Sequence, residues 1–256
     1  MGERQQRLVF GEVAQEYEEV RAGFPAEVAE LAFAHVGDPA ELVEVGAGTG
    51  KATAVFADLG RPVTCLEPDP GMAALLRARF AGRPQVRVLE CGFEDWPPPP
   101  GGVPLLVAAL SWHWVDPARR WALGRAALAP GGTLALLDHR YGFADPVLED
   151  ALDAAYRAVA PEMYAPPPDD ADGHRLYGDM IGSGLFVDVV EHIRRSVLRY
   201  PTDRYRRLLR TFSSHRMMAP ERRAALHDAL GAVVDRHGGA VDVALHTTLV
   251  LGRRSR

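Results

Sequence analysis

The segment best able to do chemistry is Leu42-Val43-Glu44-Val45-Gly46-Ala47-Gly48-Thr49-Gly50-Lys51. Glycines at alternate positions let a chain leave a strand, turn tightly and approach a ligand with no Cβ in the way. A nucleotide-shaped ligand fits such a turn. A dinucleotide fingerprint would put its third glycine at position 51, where Lys51 stands, so the spacing disfavours NAD. Lys51 is not a phosphate-binding P-loop lysine either. That motif needs four residues between glycine and Gly-Lys and then Ser or Thr, whereas Ala52 follows here. Glu67 closes the next apolar run, and a carboxylate there accepts both hydroxyls of a ribose.

The histidines each admit two readings. His113, between Trp112 and Trp114, suits a general base by its ordinary pKa of about 6.5. Equally, the three rings can form a packed corner, with the imidazole bonded to backbone, and aromatic neighbours favour that reading. His139, beside Asp138, and His215 are candidates to touch a substrate or to be ordinary surface polar groups. His35 lies on the apolar stripe of a helical pattern and reads as a satisfied boundary residue. No histidines and carboxylates share a helix face at metal-ligand spacing, so no metal is expected.

These residues must be positioned by alternating strands and helices. Helical spacing of Val28, Leu31, Ala32 and Val36 follows Pro25, and strands are expected at Leu42 to Val45, Val63 to Leu66, Val86 to Leu89, Leu105 to Leu110 and Thr133 to Leu137. Asp69-Pro70 and Asp116-Pro117 read as helix caps with proline at the first turn. Short, largely apolar strands between helices imply a parallel sheet covered on both faces. Beyond it come a helix at 146–160, a Pro, Asp and Gly-rich stretch from Pro161 to Gly184, a long strand at Val187 to Arg199, a helix at Pro220 to His237 and a strand at Val241 to Leu251.

With 256 residues, 47% hydrophobic, the chain can bury a large core, which excludes disorder and disulfide-framework classes. A formal net charge of -5 gives no general reason to bind nucleic acid or an anionic membrane, so small molecules are the expected partners. The absence of a spanning or secretory apolar run points to the cytoplasm. Cys65 and Cys91 both sit in apolar, strand-like contexts and read as core thiols.

The stretches LVEVGAGTGKAT and CLEPDPGM resemble the first two motifs of class I S-adenosylmethionine-dependent methyltransferases. LSWHWVDPARRW and ALAPGGTLALL extend the likeness. FGEVAQEYEEVRAGFP and LLRTFSSHRMMAPERR are similar to the branch that holds trans-aconitate and type 11 methyltransferases. The resemblance implies one Rossmann-like domain over residues 1–256: a seven-stranded, mostly parallel sheet with an antiparallel last strand and helices on both faces. Within it, 1–24 would be a cap, 25–140 the cofactor-binding core, 141–215 an acceptor-side insertion and lid, and 216–256 the helix and strand that complete the sheet. The implied activity is methyl transfer from S-adenosylmethionine, leaving S-adenosylhomocysteine, to an O, N or C nucleophile of a small molecule. A cyclase using the same cofactor and a non-catalytic regulatory module are the alternatives.

Carried onto this chain, the likeness puts the methionine part of the cofactor against Glu44, Gly46, Ala47 and Gly48. The ribose falls to Glu67, and the adenine to Pro68, Met72, Phe93 and Glu94. Gly92 has no side chain to meet the adenine amine, so Glu94, backbone or water would do so. Backbone at Ala109 and Leu110 would face the sulfonium, and Tyr17 and Arg21 would fold over the cofactor, Arg21 on its carboxylate. Phe10, Tyr17 and Phe24 would serve as a cofactor cap or simply pack. The acceptor would meet Tyr17, His139, Tyr164, Tyr177 and His215, with His113 as the catalytic candidate.

Overall fold

The computed structural model describes residues 14–163 and 174–255. They form a seven-stranded sheet in the order β3-β2-β1-β4-β5-β7-β6, with the last strand antiparallel to the others. The strands are β1 (Leu42–Val45), β2 (Val63–Leu66), β3 (Val86–Leu89), β4 (Val103–Ala109), β5 (Leu128–Phe143), β6 (Phe186–Pro201) and β7 (Ala240–Arg254). The registers Leu42 to Val63, Val43 to Leu106, Val63 to Val86 and Leu106 to Leu134 are all parallel. The expected mixed sheet is therefore present.

The helices are α1 (Ala14–Val20), α2 (Glu27–Val36), α3 (Lys51–Ala57), α4 (Pro70–Arg79), α5 (Arg120–Ala127), α6 (Pro146–Val159), α7 (Arg175–Gly182), α8 (Thr202–Arg210), α9 (Ser213–Arg216) and α10 (Pro220–Arg236). Asp69 caps α4 as its sequence implies, its Oδ1 accepting from the Gly71 and Met72 N–H at 2.8 and 3.0 Å. Asp145 does the same for α6, ahead of Pro146. Asp116 behaves differently. Its side chain accepts from Ala118 N–H two residues on, closing a local turn, and α5 starts only at Arg120. The Pro, Asp and Gly-rich stretch from Pro161 to Gly184 contains α7, whose Leu176, Tyr177 and Met180 pack into a core; residues 164–173, with Tyr164, lie outside the described residues, as does Phe10.

The chain divides into two compact units, and the division falls inside β5, β6 and β7. One unit comprises 22–139, 174–194 and 247–255, and it has apolar cores on both faces of the sheet. Phe33, Phe56, Leu105 and Leu137 belong to one core, and Trp112, Leu106, Leu136 and Phe186 to the other. The second unit, 14–21, 140–163 and 195–246, packs Leu152, Tyr205, Leu209, Leu230 and Val234 together. Cys65 is fully buried as expected, whereas Cys91 is only half-buried beside the aromatic core. The edge of the short strand β3 leaves it there.

Candidate functional site

The glycine turn belongs to the first unit. Gly46 and Gly48 have φ of +61° and +58°, the left-handed region that side chains disfavour. Their surroundings differ. A Cβ on Gly46 would lie 2.6 Å from the Ser111 Cβ, while one on Gly48 would meet nothing within 4 Å among the described residues. Ser111 is held there because its hydroxyl donates to the Val45 carbonyl. Gly46 is thus a packing requirement between β1 and the end of β4, and Gly48 leaves room for a ligand.

Glu67 ties the turn down from β2. One carboxylate oxygen accepts from Gly48 N–H at 2.6 Å and the other from Asp69 N–H at 2.8 Å. Burial raises its pKa above the ordinary carboxylate value, against the lowering effect of those two N–H groups. Below the turn, Glu44 is fully buried and accepts from the Thr53 hydroxyl at 2.6 Å. Loss of solvent pushes its pKa up to about 7. Glu44 therefore supports α3 and β1 from the interior. Neither Thr53 nor Ser111 was singled out by the sequence, because a hydroxyl has no signature until the fold supplies its partner.

The other expected cofactor residues converge on the same edge. Ala47 and Met72 are buried, and Pro68 is half-buried between them in chain order. Phe93 packs at 6.0 Å from the Trp112 ring, and Glu94 accepts from Asp116 N–H at 3.2 Å. Leu110, after Ala109 at the end of β4, has a φ of +58° and donates its N–H to the Leu137 carbonyl. Left-handed backbone at a leucine costs roughly 1–3 kcal/mol and is typical of sites where geometry matters more than stability. Nothing in the residue type signals it.

His113 corrects its expected packed corner. Trp112 is buried, but the His113 ring is exposed, 4.6 Å from the Trp114 ring, with no hydrogen bond among the described residues. Partial desolvation, and then Arg120 and Arg175, hold its pKa below the ordinary value, so it is neutral near pH 7. His113→Asn should therefore leave stability within about 0.5 kcal/mol of wild type in urea unfolding. A loss of 2 kcal/mol would restore the packed corner.

His139 is a buried residue instead of the surface group expected. Its Nε2 is 3.2 Å from the Gly23 carbonyl, so that nitrogen carries the proton, and Nδ1 accepts from the Thr247 hydroxyl at 3.1 Å. Phe24 stacks on it at 4.3 Å, which places Phe24 in packing. His35 is the satisfied boundary residue foreseen, bridging Thr133 Oγ1 and the Asp188 carbonyl. Tyr177 is half-buried against the Trp112 core.

Tyr17, Arg21 and His215 belong to the second unit. There the Arg21 Nε donates to Thr211 Oγ1 at 2.8 Å, and its guanidinium lies 4.0 Å over Phe212 and 5.4 Å over Tyr17. His215 is buried between Tyr156, 3.2 Å from Nε2, and His227, 2.9 Å from Nδ1. It is an interior residue, contrary to the exposed group that its TFSSHR context implied. Among the described residues no group of three or more metal-ligating side chains occurs, and no helix is long and apolar enough to cross a membrane.

The glycine turn, its tether to Glu67 and the sheet order together restrict what the chain is similar to. Residues 43–136 match the family described as "Methyltransferase domain". Over this segment the chain is similar to methyltransferase domains. An uncharacterized methyltransferase of Mycobacterium tuberculosis is 33% identical over 144 residues, 55% of this chain and 57% of its own length. The methyltransferase YrrT of Bacillus subtilis, also uncharacterized, is 31% identical over 41% of this chain and 47% of its own. The chain thus spans about half the length of these curated relatives. Among solved structures, one described as a type II methyltransferase from Anaeromyxobacter dehalogenans has a TM-score of 0.66 at 22% identity, covering 91% of this chain and 97% of that one. Phosphoethanolamine N-methyltransferase 2 of Haemonchus contortus, in complex with S-adenosylmethionine, has a TM-score of 0.55 at 13% identity, covering 100% of this chain and 61% of that one. At those identities the likeness concerns the fold alone.

Proposed function

We propose that the chain is an S-adenosylmethionine-dependent methyltransferase acting on a small molecule. The observation that carries this reading is the Gly48 turn, open on its ligand side and hydrogen-bonded by its N–H to Glu67. The match of residues 43–136 to methyltransferase domains supports it.

When bound, S-adenosylmethionine would supply an activated methyl group, with its sulfur as the leaving group and the acceptor giving up a proton. The chain's task is then placement. Backbone at Gly46 to Gly48 makes room for the methionine part, Glu67 binds the ribose hydroxyls, and Pro68, Met72, Phe93 and Glu94 bound the adenine side. Ala109 and Leu110 fix the backbone beside the reacting centre. Such positioning contributes roughly 7 to 11 kcal/mol in well-oriented intramolecular reactions. His113, neutral near pH 7, accepts the acceptor's proton.

Calorimetry should show binding of S-adenosylmethionine and S-adenosylhomocysteine and none of NAD; NAD binding tighter than both would overturn the reading. Glu67→Ala should weaken cofactor binding by about 1.5–3 kcal/mol, the range of hydrogen bonds to a charged group, and an unchanged affinity would remove Glu67 from the site. His113→Asn should lower kcat by two orders of magnitude or more at unchanged cofactor affinity. Product mass analysis separates methyl transfer from cyclisation.

A further inference from the structure

Arg120 and Arg175 open α5 and α7 and share one carboxylate. Arg120 Nη2 lies 4.0 Å from Asp179 Oδ2, and Arg175 Nε lies 3.9 Å from the same oxygen. Neither distance is a hydrogen bond. Two guanidiniums therefore face one loosely held anion, with an unmatched positive charge between them among the described residues.

The two arginines are not alike. Arg175 is largely exposed, whereas Arg120 is mostly buried, 5.6 Å from the Trp121 ring, and its Nε is buried with no hydrogen-bond partner among the described residues. A buried donor of that kind is costly unless an acceptor reaches its group, and a guanidinium is shaped for a two-oxygen anion. Both cations act on His113, which follows Leu110 at the end of β4. Open parallel sheets bind ligands outside the carboxyl ends of their strands, and this is that edge.

We propose that Arg120 and Arg175 form an anion subsite that holds a carboxylate or phosphate group of the methyl acceptor beside His113. The anionic class of ligand follows from the unmatched charge and the orphaned Nε. Its role as acceptor rests on the methyltransferase reading given above.

The test uses the full chain saturated with S-adenosylhomocysteine, titrated calorimetrically with inorganic phosphate, phenyl phosphate and citrate. We expect saturable binding, weakened at least tenfold by Arg175→Gln and by Arg120→Gln, and unchanged in Arg83→Gln, which removes only a surface pair with Asp58. Arg175, being exposed, can be replaced without disturbing the fold if Arg120→Gln unfolds. Histidine NMR supplies a second readout, because a bound anion must raise the depressed His113 pKa. Tighter binding of the phosphates or of citrate assigns the headgroup. Equal anion affinity in wild type and Arg175→Gln, or no saturable binding, overturns the subsite. Anion binding that depends on both arginines in a chain that fails to bind S-adenosylhomocysteine keeps the subsite and removes the methyltransferase reading.

Discussion

Gly46→Ala should lose about 3 kcal/mol of stability, while Gly48→Ala should lose only about 1–2 kcal/mol and yet bind S-adenosylhomocysteine at least tenfold more weakly. Both positions require left-handed backbone, which costs a side chain roughly 1–2 kcal/mol. At Gly46 the new methyl also meets the Ser111 Cβ at 2.6 Å, a stub that cannot rotate away because the Ser111 hydroxyl holds the Val45 carbonyl. Overpacking of that kind adds about 1–3 kcal/mol. At Gly48 nothing beyond its chain neighbours lies within 4 Å among the described residues, so the methyl costs little in packing and instead occupies the ligand side of the turn. Urea unfolding followed by tryptophan fluorescence, paired with calorimetry, separates the two. Equal stability of the two variants would show that β4 yields at Ser111, and undiminished binding by Gly48→Ala would move the ligand off this turn.

The second large effect concerns acid. His215 and His227 stack 5.2 Å apart in the interior of the second unit, and one proton serves the 2.9 Å contact between His215 Nδ1 and His227 Nε2. Burial first, and then His227, Arg21 and Arg223, push the His215 pKa down to about 4. Burial, with Arg210, Arg223 and Arg206 outweighing Asp228, brings His227 to about 4 as well. Asp153 faces the neighbouring Tyr156. In the unfolded chain each histidine titrates near 6.5, so between pH 6.5 and 4 the unfolded state binds more protons. The pair's contribution is complete above pH 6.5 and is lost as pH falls toward 4, on the order of 3–6 kcal/mol for two coupled groups.

Glu44 slopes the other way. Its raised pKa gives stability below about pH 4.5 that is lost as pH rises through 7. The comparison that isolates the histidines is therefore wild type against His215→Gln/His227→Gln, by thermal unfolding from pH 7.5 to 4.5. The double variant should be less stable at pH 7.5 and change less with acid. Parallel pH profiles for the two proteins would show that the histidines are charged, or exposed, in the folded state.

The sequence by itself determined the parallel core and the glycine turn. Local rules suffice there: β1, β2 and β3 are four-residue runs each carrying three apolar residues, the Asp69 side chain caps the helix that Pro70 opens, and alternate glycines before a helix with a carboxylate after the next strand form a pattern readable in one dimension. The C-terminal strand and α10 were legible for the same reason, since periodic burial leaves a periodic pattern. Tertiary structure alone decided His113, His139 and His215. His139 and His215 stand in polar-looking contexts, and their burial depends on Gly23, Thr247, Tyr156 and His227, partners from 12 to 116 residues away. His113 sits between two tryptophans and is nevertheless exposed, because the chain buries Trp112 on the core face and turns the next residue outward. The shared Asp179 of Arg120 and Arg175, and the different spaces above Gly46 and Gly48, likewise arise from segments brought together only by folding. A side chain's chemistry is set by its type, but its protonation, its partners and its access to a ligand are set by neighbours that no local pattern encodes.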